Sequence, residues 1–324
     1  MMGVLPPMCG PAPGSGSAAA RPPGGRRIAR SFRVGGLALV LVLWMIAALL
    51  VTVTGVVYAV RGDVRAVSMA REMAAAGALG DAGVVLAART LAESKQPEAR
   101  WQQTALTFDG TYVEVRVIPL AGMIDVNAAG EALLTELIAV GGGVDRTQAA
   151  VLAQRIIDWR DADEQPQPQG AENAAYAAAG SPFRTRGGPF ETTEDLLQVL
   201  GIDFDLYEKL RPLVTVHARG DGRVDPAAAP LPVLRVLAAG NDQVASAYAA
   251  AREASGALAD TTRFPAAFIT RGQAGSRYLI EASVQLSNGA VQVTRKVLEL
   301  EGAQQGLPWQ TLWAERAVVA ELGD

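Results

Sequence analysis

Residues 37–60 read LALVLVLWMIAALLVTVTGVVYAV, 24 positions without a charge. At about 1.5 Å per residue, a helix of this length crosses a hydrocarbon core of roughly 30 Å. Thr52, Thr54 and Gly55 soften its second half without breaking it. A buried core helix rarely runs so far with no polar face. Upstream lie Arg21, Arg26, Arg27, Arg30 and Arg33, and residues 1–36 contain no acid. The positive-inside rule predicts that this end stays cytoplasmic and that everything after Arg61 lies across the membrane.

The composition excludes several function classes. Hydrophobic residues make up 50% of the 324 and charged residues 19%, so a disordered polyelectrolyte is ruled out. One Cys and one His leave no zinc site and no disulfide framework. Cys9 lies in a Pro/Gly/Ala-rich N-terminal stretch, and His217 has no nucleophile to serve. No pair of carboxylates is poised as acid and base, so the chain reads as a non-enzyme. The apolar run exceeds the usual secretory h-region, and no A-x-A site follows it. Instead, Gly35-Gly36 stands between the arginines and the run. A cut there leaves the hydrophobic helix on the mature protein, which resembles a type IV prepilin leader.

Beyond the span, residues 61–95 continue as an amphipathic helix, with Val60, Val64 and Val67 at spacings of four and three. Gly77, Gly80 and Gly83 read as weak points there. A second helical segment is expected over 84–94, before Lys95-Gln96-Pro97. Tyr112 to Ile118 alternates as a strand does.

Residues 123–217 change character, to mainly helical with acidic loops. They hold 7 Lys/Arg against 15 Asp/Glu. Two helix–turn–helix units are legible. One runs from Ile124 through Gly141-Gly142-Gly143 to Arg160. The other runs from Thr192, whose spacing to Asp195 fits a capping box, through Gly201 to Leu213. Such units resemble helix-hairpin-helix modules, which bind DNA phosphates in many proteins. The alternative reading is therefore a membrane-anchored DNA-binding protein of a competence-type uptake system. The acidic surroundings, with Asp145, Asp203 and Asp205 at the turns, argue against nucleic acid as a partner.

Between the units, Asp158, Asp161, Asp163, Glu164 and Glu172 place five carboxylates in fifteen residues around a Pro/Gly loop. Hard oxygen donors on a flexible loop suit Ca²⁺. The competing reading is a solvated acidic loop paired to Arg155, Arg160 or Arg184. After a Gly/Pro-rich connector at 219–232, a short helix is expected over 241–255. Two alternating runs around Asn288-Gly289 predict a hairpin with a type I′ turn. Trp309 to Arg316 suggests an edge strand, with both tryptophans as packing residues.

Taken together, the chain resembles the general secretion pathway protein K family, the large minor pseudopilins of type II secretion. The leader junction carries part of the resemblance, and Ile124-Asp125-Val126-Asn127-Ala128-Ala129 another part. Ile157 to Asp163 leading to Gly170-Ala171-Glu172 adds to it, as do Phe183-Arg184-Thr185, Pro189-Phe190 and Glu194-Asp195-Leu196, in that order. The resemblance implies an α+β, pilin-like fold. It would consist of a long N-terminal transmembrane and amphipathic helix, an antiparallel sheet, and an inserted helical domain with the hairpin-like units.

The boundaries expected are a leader at 1–36, a transmembrane helix at 37–60, pilin-like parts at 61–122 and 218–324, and an insert at 123–217. Prepilin peptidase would cut between Gly36 and Leu37. Leu41, the fifth mature residue, replaces the Glu of major pilins, which fits a tip subunit with none above it. Calcium in the insert is also implied, with Asp161, Asp163 and Glu172 as the expected ligands. The implied partners are other minor pseudopilins, the peptidase, membrane lipid and secreted protein substrates. The implied location is the bacterial inner membrane, single-pass, with the C-terminal domain in the periplasm. The 36-residue leader is longer than the family's, and Pro119-Leu120-Ala121-Gly122 replaces an acidic turn often found there.

Overall fold

The computed structural model describes residues 35–94, 101–255, 259–272, 275–300 and 307–319. The leader up to Val34, with Cys9, and the Lys95-Gln96-Pro97 stop signal lie outside them. The chain divides into two units, Met1–Arg65 and Ala66–Asp324. One helix, α1 (Gly35–Glu93), supplies the described residues of the first unit and residues 66–93 of the second. In the first unit its side chains are exposed throughout, Leu39, Trp44 and Leu50 among them. Thr52 and Thr54 donate their hydroxyls to the Ala48 and Leu50 carbonyls, 3.1 and 2.6 Å away. The polar atoms of the span are thereby satisfied within the helix, as a hydrocarbon environment requires.

In the second unit the chain builds a five-stranded antiparallel sheet. Its strands are β1 (Gln102–Phe108), β2 (Thr111–Pro119), β5 (Arg277–Gln285), β6 (Val291–Glu299) and β7 (Gln310–Val319), in the order β1-β2-β5-β6-β7. The helix covers one face. Ala76, Val84, Ala88 and Leu91 bury against Val113 and Val115 of β2 and Ile280 and Ala282 of β5. The glycines that read as weak points in the sequence have another role. A Cβ on Gly80 would stand 2.5 Å from Thr294 Oγ1, and one on Gly83 would stand 3.0 Å from Val115 Cγ2. The helix backbone rests on the sheet where side chains are missing, and α1 runs unbroken through the 84–94 segment. Asp81 fixes the register with an ion pair to Lys296 at 2.8 Å and another to Arg316 at 2.6 Å.

The type I′ turn occurs in a different hairpin from the one expected. Asp109 and Gly110, which join β1 to β2, both have positive φ, at 46° and 80°. At the other hairpin only Gly289 does, with φ 86°. There Leu286 donates to Ala290 across a three-residue loop, and Asn288 turns its side chain onto the Ala290 amide at 3.0 Å. This is a tight turn closed by a left-handed glycine, with one residue more than type I′ allows. Strand β1 was not foreseen because QQTALTF alternates weakly and is mostly exposed. The expected edge strand is present as β7, with Trp309 buried at its entry.

The other sheet face meets a helical layer. Ile118 and Val297 join its core, with Leu279 and Trp313 packed against it. The layer is spliced between β2 and β5, which are neighbours in the sheet. It contains β3 (Ile124–Asp125), α2 (Glu131–Glu136), a π turn at Leu137–Gly141, α3 (Arg146–Arg160) and α4 (Asn173–Ala178). A 3-10 turn (Thr193–Gln198), α5 (Phe204–Leu210), β4 (Val214–Thr215), α6 (Leu231–Leu237) and α7 (Asp242–Ser255) complete it. Strands β3 and β4 pair in parallel, drawing the two ends of the 123–217 stretch together.

The layer continues beyond that stretch. Val233, Leu234 and Leu237 of α6 and Ala245 and Tyr248 of α7 are buried in the same core. Helices α6 and α7, with Val224, Phe264 and Phe268, therefore pack with the other helices, although the sequence reading placed them in the same part as the sheet. Pro226, Pro230 and Pro232 gave that segment the look of a linker, but Pro232 sits in the first turn of α6, where its missing N–H costs nothing.

Candidate functional site

Helix α3 aims the acidic loop. Asp145 caps its start by accepting the Thr147 amide at 2.9 Å. Ala149, Leu152, Ala153, Ile156 and Trp159 form its buried stripe. The helix ends at Asp161, whose extended backbone turns the chain out into residues 161–172. Asp163 spends one oxygen on the Gln165 amide at 2.8 Å. Glu172 stands immediately before α4 and is only 4% exposed.

The three residues expected from sequence come together here. One carboxylate oxygen from each of Asp161, Asp163 and Glu172 lies within 4.8 Å of the others. Both oxygens of Glu172 and Oδ1 of Asp161 are buried without a hydrogen bond of ordinary geometry. Two of the arginines expected as partners, Arg155 and Arg160, bond to backbone carbonyls instead. Arg155 donates to the Leu200 carbonyl at 2.8 Å. Arg160 holds the Val126 carbonyl and, at 2.8 Å, that of Ala129.

The electrostatics follow from that geometry. Burial pushes the Glu172 carboxyl up to about 7, with Asp158, Asp161 and Glu164 adding repulsion and the Thr185 hydroxyl opposing. Asp161 is raised as well, by burial first and then by Asp163 and Asp158. Ionised carboxylates left unpaired in low dielectric are costly, so the cluster favours either a proton or a cation. Its donors are all hard oxygens, and such a set suits Ca²⁺ or Mg²⁺ rather than a softer metal.

The remaining motif residues act as braces. The Asn127 side chain accepts the Phe190 amide at 2.7 Å and donates to the Phe190 and Val216 carbonyls. Trp159 stacks on Phe190 with ring centroids 4.1 Å apart. The Trp159 carbonyl accepts the amides of Arg186 and Gly187. Asn173, next to Glu172, accepts the Thr185 amide and donates to Glu164 at 2.7 Å. Residues 181–191 are thus suspended from both flanks of the acidic loop. Sequence reasoning quoted these residues without seeing their roles. Asp158 lies off the apolar stripe of α3 and is nonetheless fully buried, and nothing in the helical spacing signalled that.

The turns between helices are closed by acids. Asp203 accepts the Leu206 amide at 2.8 Å, as Asp145 does for Thr147. These carboxylates occupy helix N-termini where a phosphate would otherwise sit, and they repel it. The first half of the second unit is a 3-10 turn rather than an α-helix. At the other end of the chain, Gly36 and Leu37 lie in the first turn of α1, and Leu41 is 61% exposed. The most apolar stretch of α1 has no part buried, and among the described residues it is the one helix long and apolar enough to cross a membrane.

Residues 121–219 match the first-domain model of type II secretion system protein K. Over those residues the chain is similar to that family. It is 31% identical over 206 residues to type II secretion system protein K of Pectobacterium carotovorum subsp. carotovorum. The match covers 56% of this chain and 62% of the relative. The chain thus spans less than two thirds of that relative's length. It is 33% identical over 76 residues to the Klebsiella pneumoniae protein of the same name, covering 24% and 23% of the two chains. In fold it is similar to a chain of the crystal structure of the GspK-GspI-GspJ complex from enterotoxigenic Escherichia coli. That similarity has a TM-score of 0.50 and 16% identity, and covers 75% of this chain and 94% of the other. The family match falls on the helical layer that carries the acidic loop, and the fold match extends over most of the molecule.

Proposed function

We propose that this chain is a minor pseudopilin at the tip of a type II secretion pseudopilus, serving protein export across the outer membrane. It is a structural subunit, not an enzyme. The observation that carries the reading is the joining of three parts: an exposed apolar helix, a sheet packed on its continuation, and a helical layer spliced between β2 and β5. The layer itself is the part that matches the family. A helix uncharged from Leu37 to Val60 serves as membrane anchor and as assembly element in the same way. With the basic leader cytoplasmic, the sheet and helical layer lie in the periplasm.

Leu41 offers no carboxylate to a neighbouring subunit's amine, which suits a subunit with none above it. Its partners are other minor pseudopilins, by analogy with the similar chain in the GspK-GspI-GspJ complex, together with prepilin peptidase and the lipid around the anchor. Secreted substrates would meet the exposed head. Calcium is held by Asp161, Asp163 and Glu172, where it neutralises the cluster around the buried Glu172 and ties the loop to α3 and α4.

The experiment is mass spectrometry of the mature N-terminus after expression with a prepilin peptidase. The expected first residue is Leu37. Any other start, or an uncut leader, overturns the pseudopilin reading.

A further inference from the structure

Asp158 is fully buried, yet it is not one of the three carboxylates that converge. It faces the loop from within. Both of its oxygens accept the Gln167 amide, at 3.1 and 3.2 Å. A Cβ on Gly170 would fall 1.8 Å from its Oδ2, so the backbone at 170 lies directly against the carboxylate. The loop is fastened once more on the same helix, where Gln154 accepts the Gln169 amide at 2.7 Å. Gly170 is two residues from Glu172, whose oxygens are buried without a hydrogen bond of ordinary geometry. The path from α3 to Glu172 therefore runs through the contact of Asp158 with 167–170.

Resting on the calcium reading above, we infer that Asp158 is a positioning residue for that site. It is not a ligand. Its carboxylate clamps the loop so that Glu172 returns to face Asp161 and Asp163. The site is then set before the metal arrives, and the clamp sets the affinity. Partners just behind a metal's ligands commonly change affinity by about 10–100-fold when removed.

The test is calcium titration calorimetry on the full-length chain in detergent micelles, with melting temperature measured in chelator alongside. Three proteins are compared: wild type, Asp158→Asn and Gly170→Ala. Asp158→Asn keeps the shape but removes the charge that grips Gln167. Gly170→Ala keeps the charge but displaces it. A purely structural brace would lower the chelator melting temperature and leave the calcium affinity of the folded protein unchanged. The clamp predicts a loss of at least about tenfold in affinity in both variants. Should Asp158→Asn fail to fold, Gly170→Ala carries the test. Wild-type binding with affinities in the variants within twofold of it overturns the positioning role alone. No calcium binding by wild type overturns the metal reading and this inference with it.

Discussion

Asp81 and Glu172 are both acids at packed junctions, and their carboxyls are driven in opposite directions. Around Asp81 burial pushes upward, but Lys296 and Arg316 outweigh it and hold the carboxyl below its ordinary range. Around Glu172 burial pushes the same way and no cation answers, so it is raised to about 7. At the helix–sheet junction the chain pairs the acid itself. At the acidic loop the proposed calcium would do so, and part of the fold would then respond to the surrounding solution.

The largest effect should come from the helix–sheet junction. Gly80→Val places a side chain where even a Cβ would stand 2.5 Å from Thr294 Oγ1 and 3.0 Å from its Cβ. Both contacts belong to a short β-branched side chain with little freedom to move aside. Overpacking of this kind costs about 3 kcal/mol. Denaturant unfolding of the full-length chain in micelles should show it as a lowered midpoint, with calcium binding retained. If the midpoint stays within error of wild type, the helix does not rest on the sheet at Gly80, and the contrast between the two junctions loses its firmer half.

Next comes the acidic loop. Calcium at a hundred times its dissociation constant should stabilise the protein by about 2.7 kcal/mol, and chelator should remove that. The pH dependence has a definite sign. The folded carboxyl of Glu172 is raised, so the metal-free protein keeps that stability below the unfolded value near 4.5 and loses it as pH rises through about 7. Calcium binds the ionised form, so the rise in melting temperature it causes should grow from pH 6 to pH 8. Glu172→Gln should abolish the calcium response and leave the metal-free protein more stable than wild type at pH 8. A calcium response that is flat with pH would count against Glu172 as a ligand.

This contrast also explains what the sequence disclosed. Residues 37–60 announced an anchor because an uncharged run has few other uses, and the five carboxylates between Asp158 and Glu172 marked a candidate site because clustered acids are costly. Both signals are local. The glycines of α1 were misread because Gly77, Gly80 and Gly83 weaken a helix taken alone, and only the sheet, with strands as distant in sequence as the one that carries Thr294, gives them a purpose. The second hairpin misled for a similar reason. Asn-Gly favours a type I′ turn, but the register that pairs Leu286 with Ala290 needs one more residue, and Asp109-Gly110 had a weak strand beside it to hide its turn. Helix α6 looked like linker because Pro230 and Pro232 stand at its start, whereas α7 was legible as the helix expected over 241–255. The burial of α6 depends on contacts with α2 and the π turn about a hundred residues upstream, and no window of sequence contains those.

The smallest effect should come from Asp81→Asn. The ion pairs are well formed, but the side chains of Asp81, Lys296 and Arg316 are 38%, 25% and 51% exposed. Water and salt screen such pairs, so the loss should stay below about 1 kcal/mol. Its pH dependence should be the reverse of that at Glu172. A depressed carboxyl contributes stability above its unfolded value and loses it as pH falls through the folded one, so wild type and Asp81→Asn should converge in acid. Melting curves of the two proteins between pH 3 and pH 7, in chelator, make the comparison. Convergence in acid, beside a calcium response that grows toward alkali, would show one fold using the same side-chain chemistry in two ways. A gap that persists at pH 3 would mean that Asp81 acts through its packing against the sheet rather than through its charge.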